Sequence, residues 1–298
     1  MQAAAHARGS GGFAGEHGMN ASRRGSLGSL VSLPRDELAA GLADAFPDAM
    51  EDRIDPETLR GRPRGGRAAA IEALAAVEPE AYGRTRNHVG GAVTGLSPWI
   101  RHGVLSLAEV RDAALAGAAT PAVAERLVNQ LAWRDYWRRV HASLGDGILS
   151  DIEDPAAAPR RTAALDAMPA DVLSAATGMR CIDAFVRRLL DTGRLHNHER
   201  LWLASWLVHV RGVRWRTGAD WFLRHLLDGD PASNHLSWQW VAGTFASKPY
   251  LFNRENLEAW TDGTHCKTCP LLGRCDVEGG YDEIATRLFA TVPTTRRP

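Results

Sequence analysis

An all-α fold is predicted, and three observations predict it. Apolar residues recur at helical spacing through most of the chain. The alternating apolar and polar pattern of strands is nearly absent. The helical stretches are separated by short Gly, Pro and Asp turns, and no G-x-G-x-x-G follows a strand, which leaves no basis for a Rossmann unit. No repeat of fixed period is present.

Taken in order, residues 1–32 are polar and rich in Gly, Ala and Ser, a low-complexity composition that cannot bury a core, and they are expected to be disordered. A helical lead-in is expected over 33–80. In it DELAAGLADAF follows Pro34, the link LRGRPRGGR interrupts, and AAAIEALAAVEPEAY forms an alanine-rich helix that ends near Pro79. Residues 81–298 read as one domain. Its helices are LSLAEVRDAALAGA, PAVAERLVNQLAWRDYWRRVHASL, CIDAFVRRLLDTG and HERLWLASWLVHVRG, each closed by a turn residue.

The 298 residues are 45% hydrophobic and 23% charged, with 35 basic and 35 acidic side chains, which is ample for a buried core. No run of 18 apolar residues occurs, so no membrane-spanning helix is expected. The first residues lack the apolar stretch of a secretory signal, and a cytoplasmic monomer is expected. Zero net charge argues against a histone-like partner for the whole molecule but leaves room for a local basic face. Between Arg180 and Arg224 nine arginines meet four acids. That window is either a phosphate-facing surface or the solvated face of salt-bridged helices.

Seven of the ten tryptophans fall between Trp202 and Trp260. Core packing is the ordinary explanation. In the same window, HLLDGDPASNHLSWQW sets Asp228, Asp230 and Asn234 in a turn-rich segment leading into Trp238 and Trp240. Carboxylates so spaced form a capping turn or grip a polar ring and a ribose. Of four cysteines, Cys266, Cys269 and Cys275 crowd into ten residues and Cys181 stands 85 positions before them. In a cytoplasmic protein such cysteines are reduced, metal-bound or incidental rather than disulfide-paired.

Five ordered blocks between Tyr82 and Asn256 carry a resemblance. They are Tyr82-x3-Arg86 with TGLSPWIRHGVLS, NQLAWRDYW, TGMRCIDAFVRRL, TGRLHNHERLWLASWL and RWRTGADWFLRHLLDGDPASNHLSWQW. Together they resemble the FAD-binding domain of the photolyase and cryptochrome family. The resemblance implies the helical FAD-binding domain of that type, without the N-terminal Rossmann-like antenna domain. It also implies light-driven repair of UV-induced pyrimidine dimers by electron transfer from reduced flavin, with a cryptochrome-like blue-light sensor as the alternative.

Carried over residue by residue, the resemblance gives FAD contacts to Tyr82, to Thr94, Gly95, Leu96 and Ser97 at the pyrophosphate, and to Asn129 and Arg134. It sets Asn197 beside flavin N5, Arg200 and Asp228 over the flavin edge, Asp230 on the pyrimidine side and Asn234 on the adenine half. Trp238 and Trp215 match the proximal and middle members of the electron-carrying tryptophan chain. The third has no counterpart, because the segment where it would lie reads PRRTAALDAMPADV, which leaves Trp202, Trp206 or Trp221 as substitutes or a path that runs elsewhere. Trp133 and Trp240 match the lesion pocket, which implies DNA with UV lesions as partner, single strands preferred. Gln130 stands where cyclobutane-dimer enzymes carry Glu, and Leu201 where they carry Met. In the iron–sulfur branch, Thr177-Gly178-Met179-Arg180-Cys181 and Cys266-x2-Cys269-x5-Cys275 would hold a four-iron four-sulfur cluster, with tetrahedral zinc as the alternative. The five-residue last interval is shorter than in that branch. His196 and His198 flank Asn197, where a (6-4) enzyme needs a proton donor.

Overall fold

The computed structural model describes residues 64–160 and 164–290, together with Glu37 and Gly41. The chain divides into two units, Met1–Pro56 and Glu57–Pro298. In the first, Glu37 and Gly41 are helical, at two positions of DELAAGLADAF. The rest of that segment and the low-complexity lead lie outside the described residues.

The second unit is helical. Its helices are α1 (Arg67–Ala75), α2 (Pro79–Thr85), α3 (Ser97–Arg101), α4 (Leu107–Ala116), α5 (Pro121–Leu144), α6 (Ala170–Leu173), α7 (Arg180–Thr192), α8 (Asn197–Ser205), α9 (Trp215–His225), α10 (Pro231–Ala242), α11 (Arg254–Thr261) and α12 (Tyr281–Leu288). Among the described residues the extended pairings are two isolated bridges, Pro159 with Phe289 and Leu165 with Val213. No helix among them is long and apolar enough to cross a membrane.

Local chemistry sets the helix ends. Ser106 caps α4 reciprocally: its hydroxyl accepts from the Glu109 amide at 3.1 Å, and the Glu109 carboxylate accepts from the Ser106 amide at 2.8 Å. Pro121 supplies the first turn of α5, where its missing N–H costs nothing. Gly193 (φ 64°) and Gly243 (φ 83°) end α7 and α10 in the left-handed region that glycine enters freely. Two expectations are corrected. Pro79 opens α2 as a first-turn proline and does not end the preceding helix, which stops at Ala75. The boundary drawn at residues 80 and 81 therefore falls inside a helix. HERLWLASWLVHVRG is likewise not one regular helix, because α8 gives way to a π-helical turn over Trp206–Val210.

The main core is built from α7 to α11. Trp202 is fully buried and sits among Phe185, His198 and Phe252 at ring separations of 5.9, 5.2 and 6.1 Å. Trp206, Trp215, Trp221 and Trp238 are also buried. Packing thus accounts for five of the seven clustered tryptophans, while Trp240 remains 38% exposed. Trp238 packs edge-on to Phe222 at 4.9 Å. Its ring also covers Gly218 of α9, where an added Cβ would lie 2.4 Å from it, so α9 and α10 approach at that point because residue 218 has no side chain. A second core, with Ala70, Leu96, Trp99, Ile100, Leu105 and Val110, holds α1 and α4 against the turn that leads into α3.

Candidate FAD-binding cleft

A cleft of about 330 Å³ opens between α2, the turn into α3, the middle of α5, the start of α8 and the turn before α10. It brings together Tyr82, Thr94, Gly95, Ser97, Gln130, Trp133, Arg134, Asn197, Arg200 and Asp228 from five separate stretches of chain. Leu96 is fully buried behind the turn, and Asp230 caps α10 beside the cleft, accepting from the Ser233 amide at 2.9 Å. Gly95 (φ 64°) allows a close approach, since a Cβ there would meet the Arg194 guanidinium at 2.6 Å. The turn carrying Asp228 is held from α3: Arg101 donates to the Gly229 carbonyl at 2.6 Å, and the His102 ring donates to the Leu227 carbonyl at 3.0 Å.

Buried charge organises this cleft. Arg200 Nη2 donates to both Asp228 oxygens, at 3.0 and 2.9 Å, and its Nε donates to the Leu195 carbonyl. Burial pushes the Asp228 carboxyl up, but the Arg200 charge and hydrogen bonds, with Ser97 and Arg134, hold it below the usual carboxylate range. Asp230 shows the same balance: burial raises it, while the Ser233 amide and the Arg134 and Arg138 charges bring it down. Arg134 Nη2 and Arg138 Nε approach Asp230 only to 3.8 and 3.7 Å, within ion-pair range but too far for hydrogen bonds. Arg134 Nε and Nη2 and the Ser233 hydroxyl are buried without a hydrogen-bond partner among the protein atoms. Orphaned donors of this kind in a concave wall fit an anionic group bound from outside, and the pyrophosphate of FAD is such a group.

His196 offers no proton to the cleft. Its Nε2 faces the Arg86 carbonyl at 2.9 Å and so carries the hydrogen, and its Nδ1 accepts from the His198 amide at 3.2 Å. Burial depresses this imidazole to about 4 and it remains neutral. The adjacent Glu199 is fully buried, accepts from the His196 amide at 2.9 Å and pairs with Arg188 at 2.8 Å.

Other expected residues lie elsewhere. Asn129 is exposed in a shallow depression on the outer face of α5 with Trp133 and Tyr136. Asn234 donates to the Ala219 carbonyl at 2.7 Å and ties α10 to α9. Trp240 packs on Tyr250 at 5.3 Å and is not a wall of the cleft. Trp238 is in the core. Trp215 donates from Nε1 to Asp151 Oδ1 at 2.5 Å. The basic window resolves largely into pairs: Arg188 with Glu199, Arg200 with Asp228, Arg211 with Asp171, Arg214 with Asp166 and Arg216 with Asp220. Arg180 and Arg187 donate to the Thr268 and Ala175 carbonyls. The salt-bridged reading therefore accounts for most of it. Arg194, Arg138 and Ser233 belong to the site and were not singled out from sequence. Nothing in their spacing marks them, since each acts through the chain that folds against it.

The four cysteines are free and converge on one small cavity of about 20 Å³, together with Met179, Leu257, His265 and Val277. Burial and mutual repulsion raise Cys181 to about 12, and burial with Glu258 and the neighbouring thiols raises Cys266 to about 11. Convergence stops short of ligation. Among the described residues no group of three or more His, Cys, Asp or Glu side chains is arranged to hold a metal ion. This geometry does not by itself show the cluster or the zinc expectation.

The His196 environment predicts a pH dependence. An unfolded imidazole titrates near ~6.5, well above the folded value of about 4, so the unfolded chain binds more protons between these values. Its contribution to stability is complete above about pH 6.5 and is lost as pH falls toward 4. Melting temperatures measured from pH 7.5 to 5 should decline, and His196→Asn should flatten part of that decline.

Residues 127–264 match the family model described as the FAD binding domain of DNA photolyase. The chain is 36% identical over 203 residues to the deoxyribodipyrimidine photo-lyase of Streptomyces griseus, covering 68% of this chain and 44% of that protein. It is 35% identical over 171 residues to the chloroplastic/mitochondrial cryptochrome DASH of Oryza sativa subsp. japonica, covering 54% of this chain and 28% of that one. The crystal structure of a bacterial class III photolyase from Agrobacterium tumefaciens superposes with a TM-score of 0.60 at 26% identity, over 71% of this chain and 46% of that one. The chain spans less than half the length of these relatives. The match, the helical architecture and the charged cleft together identify it as carrying the helical FAD-binding domain of the photolyase and cryptochrome family.

Proposed function

We propose that this chain uses FAD for light-driven repair of UV-induced pyrimidine dimers, the cyclobutane type, preferentially in single-stranded DNA, as a cytoplasmic monomer. The observation that carries this reading is the cleft itself, with partnerless buried donors on Arg134 and Ser233 and a 53% exposed Trp133 on its wall. When bound, reduced FAD supplies an electron on illumination.

The chain's own residues supply the rest. Arg134 and Ser233, with Thr94, Gly95, Leu96 and Ser97, would hold the pyrophosphate, and Tyr82 and Asp230 would complete cofactor binding. The Arg200–Asp228 pair fixes two walls of the cleft relative to each other, and Asn197 would offer a neutral amide that both donates and accepts at flavin N5. Trp133 would take one face of a flipped dimer and Gln130 would hydrogen-bond it. Extruding a base costs least from a single strand. Because most arginines of the basic window are paired inside the protein, stacking carries a large share of binding. Trp238 and Trp215 would relay electrons along the α9–α10 pair.

Cys181, Cys266, Cys269 and Cys275 would bind a four-iron four-sulfur cluster. What supports that reading is the convergence of the four side chains on one cavity. Gln130 in place of Glu favours a second reading, a blue-light sensor without turnover.

Illuminating the fully reduced protein with oligonucleotides carrying cyclobutane or (6-4) dimers, single- and double-stranded, separates these readings. Repair of the cyclobutane dimer, faster on single strands, is expected. Gln130→Glu should raise turnover and Trp133→Ala should weaken lesion binding by about 1–3 kcal/mol. Repair of neither lesion with ordinary flavin photoreduction would establish the sensor instead. For the cysteines, anaerobic purification should yield iron and sulfide in equal amounts, both lost in Cys181→Ser. Zinc without iron, or no metal, would remove the cluster.

A further inference from the structure

We infer that the electron path ends at Trp215 and that Asp151 ends it by taking the indole proton, an inference that rests on the light-driven reading above. Four observations converge on this pair. The Trp215 Nε1–H points at Asp151 Oδ1 across 2.5 Å, with the ring only 8% exposed. Trp238 lies against α9 at Gly218, and Trp215 meets His235 of α10 edge-on at 6.3 Å, so both indoles sit at the α9–α10 contact.

The segment that holds Asp151 is clamped to both helices. Fully buried Gln239 of α10 donates to the Ile148 carbonyl at 2.9 Å and accepts from the Ile152 amide at 3.0 Å, while Arg216 of α9 donates to the Leu149 carbonyl at 2.9 Å. Finally, Trp215 and Asp151 form part of the wall of a cavity of about 510 Å³, distinct from the cleft. Pro159 and Ala164, from the stretch in which the family's third tryptophan has no counterpart, line the same cavity.

The chemistry follows from that geometry. An oxidised indole is a far stronger acid at its ring nitrogen than a neutral one. When an oxidised Trp238 takes one electron from Trp215, Trp238 is restored and Trp215 bears the positive charge. The Nε1 proton then passes along the existing hydrogen bond to Asp151, leaving a neutral Trp215 radical and a neutral Asp151 carboxylic acid. A carboxylate within hydrogen-bond distance of the proton it accepts meets the geometric requirement for a base. Return of the electron to Trp238 then requires the proton back, and this traps the separated charge without a third aromatic.

Transient absorption distinguishes a neutral tryptophan radical from a protonated one, and it does so with or without flavin. In flavin-free protein, oxidation by photogenerated ruthenium(III) tris-bipyridine should give a Trp215 signal, defined as wild type minus Trp215→Phe, of the neutral type. In Asp151→Asn, which keeps the hydrogen bond but cannot accept the proton, the signal should be of the protonated type. The wild-type protein alone, compared in H2O and D2O, should show a slowed appearance of the neutral radical, and this arm needs no variant to fold. A protonated Trp215 radical in wild type, or identical spectra in Asp151→Asn with no isotope effect, would overturn the role of Asp151. In flavin-loaded protein, an unchanged light-induced radical in Trp215→Phe would instead overturn the relay reading on which this inference rests.

Discussion

The buried pairing of Arg200 with Asp228 is the interaction on which the cleft depends. A carboxylate only 8% exposed is tolerated in a helical domain when a guanidinium meets both of its oxygens, and here the two partners come from α8 and from the turn before α10. Joining them closes one end of the cleft. Two residues on, Asp230 is 6% exposed and answers a different demand, since it must cap α10 and also offset Arg134 and Arg138 from α5. One carboxylate at 3.7–3.8 Å cannot satisfy two guanidinium groups. The surplus positive character left on Arg134 lines the cleft, and the anionic group of the proposed ligand would offset it.

Much of the fold was legible in the sequence because helix signals are local. Pro121 at the start and Gly145 at the end bound α5, and the predicted segment PAVAERLVNQLAWRDYWRRVHASL is that helix. What misled was chemistry with two meanings. Pro79 can end one helix or begin another, and only the packing of α2 against α5, with Tyr82 on Ala124 and Leu127, decides. The π-helical turn at Trp206–Val210, which buries Trp206 and Leu207, has no sequence signature.

The site divides in the same way. Residues on the quoted blocks, such as Arg134, Asn197, Arg200 and Asp228, line one cleft. Asn234 and Trp238 belong to the same blocks but serve the contact between α9 and α10, where one ties the backbones and the other fills the space over Gly218. Arg194 and Ser233 were illegible because their relevance comes from distant partners: Gly95 makes room for the first, and the Asp230 cap positions the second. The tryptophans likewise separate into structural rings such as Trp202, an exposed ring at the cleft, and Trp215, whose hydrogen bond to a carboxylate no residue spacing could announce.

Calorimetric titration of the flavin-free protein with FAD and, separately, with riboflavin tests this account most directly, because the two ligands share the ring system and differ in the diphosphate and adenosine. The buried donors of Arg134 predict one FAD per chain, bound far more tightly than riboflavin, with the gap between them narrowing sharply in Arg134→Ala. Equal affinity for the two ligands, or a gap untouched by loss of Arg134, would contradict the claim that the cleft is built around a bound anion.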